Sequence, residues 1–334
     1  MIDLALVWVG IIGLGVLIYV VMDGFDLGIG ILFPFIQGHQ ERDVMMNTVA
    51  PVWDGNETWM VLGGAGLFAA FPLVYSTVLS ALYLPIIFMV VALIFRGVAF
   101  EFRFKAHRSK SIWDQAFIWG SFFSSFFQGV ILGAYIQGIE TQNGIYSGGA
   151  LDWLTPFSLF VGLGVVIMYS ALGCAWLIMK TEADLQAKMY ALMPKLIISL
   201  LIVFGAVSIY TPISQPEIAQ RWFSLPNLLY FSPVPVLVLI CSGLILKACS
   251  QRKEAQPFVL TLGLVFLAFK GFVISLWPNI IPPTVSIWQA AAPESSMKFA
   301  LVGAVILIPI ILVYTFLSYW VFRDKVRIGD EGYH

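Results

Sequence analysis

The stretch VMDGFDLGIG, residues 21 to 30, sets two carboxylates, Asp23 and Asp26, three residues apart toward the far end of an apolar run. The run itself, residues 4 to 22, holds no Asp, Glu, Lys or Arg. A membrane-spanning helix needs about 20 such residues, because the hydrocarbon core is about 30 Å thick and a helix rises about 1.5 Å per residue. The two aspartates therefore stand where a spanning helix is leaving the lipid, and the rest of the chain decides what they do there.

The remainder has the same character. Of 334 residues, 60% are hydrophobic and 11% charged, and the mean hydropathy is +0.90. Such a composition marks an integral membrane protein. Further runs without charge cover 58 to 95, 115 to 139, 153 to 179, 196 to 216, 222 to 246 and 299 to 322. The first of these is too long for one span, and FPLVYST, with Pro72, offers the turn that divides it. With the run 257 to 277, which carries the single Lys270, the sequence predicts an all-α integral membrane protein. Nine spans are expected, near 4–33, 53–74, 78–100, 116–137, 156–179, 192–213, 229–249, 257–277 and 299–322, in a single polytopic domain over 1–334. MIDLALVWVG has no basic region ahead of its apolar run and is read as a retained first helix.

Basic residues orient such a chain, being enriched in cytoplasmic connections. With nine spans, the connections after spans 1, 3, 5 and 7 and the C-terminal tail share one side. They hold 14 of the 18 basic residues, from Arg42 to Arg327, whereas the other side has only Arg221 and Lys298. The N-terminus is expected in the periplasm and the C-terminus in the cytoplasm. A net charge of −1 gives no sign of a nucleic-acid partner.

Three polar stretches fall together on the cytoplasmic side: DGFDLG late in span 1, WDGNETW (53 to 59) opening span 2, and FRGVAFEFR (95 to 103) ending span 3. Intramembrane charges cost about 2.5 to 3.5 kcal/mol each on insertion scales, so they pair, line water or face the bundle interior. Asp23 with Asp26, and Asp54 with Glu57, are each spaced to share a helix face, and Arg96 is the available cation. Asp23, Asp54, Glu57 and Arg96 are the candidates for a proton path, because burial and a nearby opposite charge can tune such groups. For Asp26, Glu101 and Arg103 an anchoring charge at a helix end is the alternative weighed beside a place in this cluster. Small-xxx-small pairs, Gly24 with Gly28 and Gly66 with Ala70, suit close helix packing.

Other chemistry is sparsely provided. The only histidines are His39 and His107 in connections and His334 at the C-terminus, leaving none inside a span to ligate a haem, so no metal site is expected. Cys174, Cys241 and Cys249 lack metal spacing and read as small apolar fillers. Trp153, Trp277 and Trp288 read as interfacial belt residues. Lys270, in span 8, is assigned no role.

The three motifs, in this order on the first three of nine spans, resemble subunit II of the cytochrome bd-type quinol oxidases, and the whole length fits. The resemblance implies a partner, a larger subunit I that holds two b-type haems and one d-type haem, with none in this chain. It implies a complex of the bacterial cytoplasmic membrane that oxidises quinol outside and reduces dioxygen to water with protons from the cytoplasm, without pumping. Carried onto this sequence, Asp54 and Asp23 would be carboxylates of a cytoplasmic proton path shared with subunit I, and Arg96 would structure that region. Glu57 stands where the family often has Gln. A structurally bound ubiquinone, lipid and small single-span subunits are further expectations. Two other readings remain: a proton-coupled secondary transporter, in which the acids and Lys270 would bind ion and substrate, and a purely structural subunit.

Overall fold

Asp3 starts the first helix by accepting the Leu6 amide on its carboxylate at 3.2 Å. That helix, α1 (Leu4–Leu32), runs without interruption through the aspartates. Its 29 residues reach about 44 Å, longer than the hydrocarbon core is thick. The structure, a computed structural model, describes residues 3–330 except 107 and 143, so His107 and His334 lie outside the described residues.

A short helix, α2 (His39–Asn47), follows outside the span; His39 opens it rather than lying in a loop. α3 (Trp53–Ala70) and α4 (Pro72–Arg103) are divided at Phe71, so Pro72 begins a helix, in the first-turn position where its missing N–H costs nothing. A second break lies at Leu82, three residues before Pro85, which cannot bond back to the preceding turn. Then come α5 (Lys110–Gln137), α6 (Pro156–Lys180), α7 (Ala183–Ser214), α8 (Pro216–Phe223), α9 (Asn227–Phe231), α10 (Pro233–Ser250), α11 (Gln256–Leu276), α12 (Ile287–Ala290) and α13 (Glu294–Val321). α7 starts nine residues before the predicted span, because the amphipathic stretch from Ala183 continues the helix outside the lipid. The connections expected to be irregular contain two small antiparallel hairpins, β1 (Thr141–Gln142) with β2 (Ile145–Tyr146) and β3 (Asn279–Ile281) with β4 (Val285–Ser286).

Among the described residues, eight helices are each long and apolar enough to cross a membrane. The predicted second span qualifies only when α3 is joined to the first turns of α4, across a bend of 120°. α3 nevertheless runs antiparallel along α1: Asn56 touches Met22, a Cβ on Gly63 would meet Val16, and one on Gly66 would meet Ile12.

Hydrogen bonds and ion pairs sort the helix ends onto two faces. On one, Arg42 of α2 meets Asp114 of α5, Lys188 of α7 meets Glu41 of α2, and Lys325 after α13 meets Glu254 between α10 and α11. On the other, the Trp8 indole donates to the Met297 carbonyl, the Ala292 amide to Ala70, and Arg221 to the Ser275 carbonyl. Trp277 and Trp288 meet edge to face on this second side, but Trp153 is buried in the core rather than in a belt.

Close packing concentrates where α1 crosses α6. A Cβ on Gly28 would overlap the Tyr169 carbonyl oxygen, and one on Gly173 would lie 2.6 Å from the Gly28 carbonyl carbon. The small-residue spacing of the first motif thus sets two backbones in contact. Gly66 instead receives Ile12 and Trp8 of α1.

Candidate functional site

The three motifs converge. Asp23 on α1 pairs with Nη2 of Arg96 on α4, and both side chains are 0% exposed. Glu57 on α3 approaches the same nitrogen at 3.7 Å with 27% of its side chain exposed, so it forms the open edge of the cluster. The Trp53 and Phe100 rings, stacked 5.0 Å apart, flank the guanidinium, whose central carbon lies 5.5 and 6.0 Å from their centroids. A buried arginine surrounded by aromatic faces and carboxylates is held as a fixed positive charge.

Asp54, one turn before Glu57, is exposed and stands outside the ion pair, although close enough to act electrostatically on Glu57. The structure therefore brings Asp23, Glu57 and Arg96 together and leaves Asp54 on the outer flank of α3. The exposed positions Thr58, Val61, Ala65 and Phe68 continue that flank up the helix.

Asp26 is not a helix-end charge, because α1 continues for six more residues and encloses it. It is 0% exposed and accepts the Asn56 amide at 2.8 Å, while Asn56 Oδ1 accepts the Tyr319 hydroxyl of α13 at 2.8 Å. A second polar chain lies across α1, α5 and α6: the Tyr19 hydroxyl, one turn before Asp23 on α1, accepts from Gln128 Nε2 at 2.8 Å, and the Tyr169 hydroxyl donates to Gln128 Oε1 at 2.7 Å.

Arg103 is no helix-end anchor either. Two turns beyond Arg96 on the same face of α4, it is 0% exposed and binds Asp114 and, at 2.6 Å, Asp43, which also takes Lys110 at 2.9 Å. Glu101 does take the helix-end alternative, exposed and paired at 3.8 Å with Lys105. Between the two arginine sites, Phe33, Phe100 and Phe117 stack edge to face at 4.8 and 5.1 Å, an apolar partition across the interior. Lys270 is exposed on α11, away from these acids.

Asn56 lies inside the second motif, where an uncharged amide carries no signal of its own beside Asp54 and Glu57. Tyr319, Tyr19 and Tyr169 gave no signal, since tyrosines in apolar runs are ordinary belt or packing residues. His39, exposed at the start of α2, is the one histidine among the described residues. Among the described residues no histidine lies within the bundle, so the donor set there does not fit a haem held by histidine. The three cysteines are free.

The family profile described as "Cytochrome bd terminal oxidase subunit II" matches residues 4–322. The chain is 29% identical to cytochrome bd-I ubiquinol oxidase subunit 2 of Escherichia coli K12, over 98% of this chain and 96% of the relative. It is 30% identical to cytochrome bd ubiquinol oxidase subunit 2 of Bacillus subtilis 168, over 91% of each. Among solved structures, the bd oxidase of Geobacillus thermodenitrificans contains a chain of the same fold, with a TM-score of 0.77, 17% identity and coverage of 96% of this chain and 99% of that one.

Proposed function

The chain belongs to the cytochrome bd terminal oxidase subunit II family, and on that premise we propose that it is the haem-free subunit of a quinol:dioxygen oxidoreductase, bringing cytoplasmic protons toward a haem-bearing subunit I. As a family member it is a multi-pass protein of the bacterial inner membrane and part of a respiratory oxidase complex. In the proposed reading the complex is electrogenic without pumping, and this chain alone catalyses no electron transfer. Ubiquinone, lipid and small single-span subunits accompany it.

The observation that carries the proposal is the buried Asp23–Arg96 pair with Glu57 at its open edge. Two buried opposite charges hold each other in place, and a third, half-open carboxylate connects them to the exposed flank of α3 where Asp54 sits. Protons arriving at Asp54 pass to Glu57 and reach the guanidinium-bound carboxylate, while the phenylalanine partition bars a direct way up from the Arg103 network.

Topology supports the direction. Counting α3 as a crossing gives nine spans, since it runs beside α1 from Asn56 to Gly66. The face carrying Arg42, Arg103, Lys110, Lys188 and Lys325 is then cytoplasmic, with the N-terminus periplasmic and the C-terminus cytoplasmic. The acidic motifs lie toward the side from which the protons are drawn. A transporter would place Lys270 with the acids near the midplane; its exposed position on α11 does not favour that reading.

The test is purification of the chain with its native partner. Haem absorption and quinol-dependent oxygen uptake are expected, and their absence would remove the proposal. Asp54→Asn should keep full haem content and lose most turnover; Asp23→Asn, which leaves the buried Arg96 charge without its nearest partner, should lower the assembled yield and lose most turnover per haem; normal turnover per haem in both would leave only a structural role.

A further inference from the structure

Lys270 is the single ionisable residue of α11. It is exposed, and among the described residues it has no hydrogen-bond or ion-pair partner. A charge turned toward lipid without a partner is costly, so the surroundings decide how it is accommodated.

Helical periodicity places Val259, Phe266, Lys270, Val273 and Trp277 on one face, and all five are exposed. The opposite face, with Thr261, Leu264, Val265 and Leu267, is buried against the bundle. Lys270 therefore looks outward from an otherwise apolar ridge.

Depth adds a second condition. The 21 residues of α11 rise about 32 Å, close to the thickness of the hydrocarbon core. Lys270 stands six residues before Leu276, about 9 Å below that end of the helix. Trp277, just past the end, meets Trp288 edge to face, and both indoles are exposed at the level where aromatic belts sit. A helical side chain sets out toward the N-terminus, here away from the nearer surface, so the lysine stem does not carry its ammonium freely into water. The counter-ion has to come down to it.

The carboxylates toward this end are engaged elsewhere. Asp3 accepts from the Leu6 amide and the Trp288 indole, Asp152 from the Gly149 amide and the Tyr146 hydroxyl, and Glu294 pairs with Lys298 at 2.7 Å. A phospholipid phosphate fits the position. It lies just outside the hydrocarbon, its charge complements the ammonium, and the ridge of Phe266 and Val259 below Lys270 receives the chain attached to it.

We propose that Lys270 holds the phosphate of an anionic phospholipid, with an acyl chain along Phe266 and Val259 and the headgroup beside Trp277 and Trp288. A headgroup without an ammonium of its own leaves the phosphate charge to the lysine, which favours an anionic lipid over a zwitterionic one. In the orientation proposed above the lipid belongs to the outer leaflet. The inference is separate from the proton path and is read without turnover.

The test uses the complex purified with its native partner and reconstituted in nanodiscs of phosphatidylcholine. A small fraction of phosphatidylglycerol in them carries a photoreactive group beside its headgroup. After illumination, peptide mapping should find the label between residues 266 and 277 of the wild type. Lys270→Met strands no charge and should assemble normally, with that label reduced about fivefold, the effect of one cation near a lipid surface. Lys270→Arg should keep it. Ile209 and Ile213, exposed on the uncharged outward face of α7, give the internal reference. Labelling in Lys270→Met equal to wild type against that reference, or no label at 266 to 277 in the wild type, overturns the proposal. So does the loss of a small protein chain from the complex in Lys270→Met, which would make the occupant a partner's carboxylate.

Discussion

Arg96 and Asp23 form an ion pair in which neither side chain has any exposed surface. Removing one partner of a buried pair strands the other charge, at a cost of about 3 to 5 kcal/mol. Arg96→Leu is therefore expected to lower the thermal stability and the assembled yield of the complex sharply. Arg96→Leu combined with Asp23→Leu should recover much of that loss, because replacing both charges by apolar groups removes the stranded carboxylate. Thermal melting of the purified complexes reads the difference; a double variant no more stable than Arg96→Leu would contradict the argument.

Asp26 depends on Asn56 in a similar way but without a countercharge. Asn56→Leu deletes the donor to a fully buried carboxylate and the acceptor of the Tyr319 hydroxyl. A loss on the order of 1 to 3 kcal/mol is expected. Asp26→Asn in the same background should restore part of it, since a neutral amide tolerates burial better than a carboxylate. Tyr319→Phe removes only the outer link and should cost less than Asn56→Leu. Melting temperatures of the three variants in the assembled complex check the order.

Gly28 and Gly64 separate packing from propensity. A Cβ at Gly28 would overlap the Tyr169 carbonyl oxygen, whereas one at Gly64 meets nothing within 4 Å. Gly28→Ala is expected to force α1 and α6 apart and lower the assembled yield, while Gly64→Ala leaves it unchanged. Haem content per purified complex measures both.

These residues show what the sequence made legible. Hydrophobic run length points to nine spans, and eight helices among the described residues are each long and apolar enough to cross a membrane, because lipid thickness fixes that length. Run length does not show that α7 begins at Ala183 or that α4 breaks before Pro85, since both depend on local backbone bonding. Motif charge identified Asp23, Glu57 and Arg96 as one cluster, because an isolated charge in lipid must find a partner. The same reasoning leaves a helix-end anchoring role open for Asp26 and Arg103 from their position in the motifs. It does not decide between anchoring and burial because their partners, Asn56 and Asp114, come from elements 30 and 11 residues away. The neutral tyrosines and Gln128 carry no charge signature at all, and only the fold reveals them.

The tail after α13 is fastened to the face that carries Arg42 and Lys188 by Lys180, whose ammonium donates to the Phe322 and Asp324 carbonyls, and by Lys325 against Glu254 at 2.6 Å. Hydrogen bonds from Lys325 and Gln186 hold the Glu254 carboxyl below its ordinary value of 4.5. A depressed carboxyl contributes stability above its unfolded value and loses it as pH falls through the folded one. The Glu254 contribution should thus be constant from pH 6 to 7 and weaken only in acid, by a small amount because Glu254 is exposed. The Lys180 ammonium, which burial pulls down to about 8, instead begins to lose its proton above that window. Hydrogen exchange at the Val326 amide, bonded to the Lys180 carbonyl at 3.0 Å, reports both. Intrinsically corrected protection that changes between pH 6 and 7 would count against this linkage.

Glu57 offers the sharpest separation between carrying protons and holding structure. It is the half-open member of the cluster, 3.7 Å from Arg96, and its removal strands no charge because Asp23 still neutralises the guanidinium. Glu57→Gln is therefore expected to assemble with full haem content and unchanged melting temperature, unlike Arg96→Leu. Its effect on turnover depends on how many carboxylates the path requires. Gln can hold a water or accept a hydrogen bond in the same place but cannot become charged, so protons would have to pass from Asp54 toward Asp23 in one longer step. A reduction of oxygen uptake by less than about tenfold is expected, the scale of one ordinary hydrogen bond, about 0.5 to 1.5 kcal/mol. Asp23→Asn, which removes the acceptor itself, should reduce it by more. Oxygen-electrode rates for the two variants, normalised to haem, decide the order. If Glu57→Gln were as inactive as Asp23→Asn, Glu57 would be an obligatory carrier, and if Asp23→Asn alone were fully active, the path would end at Glu57.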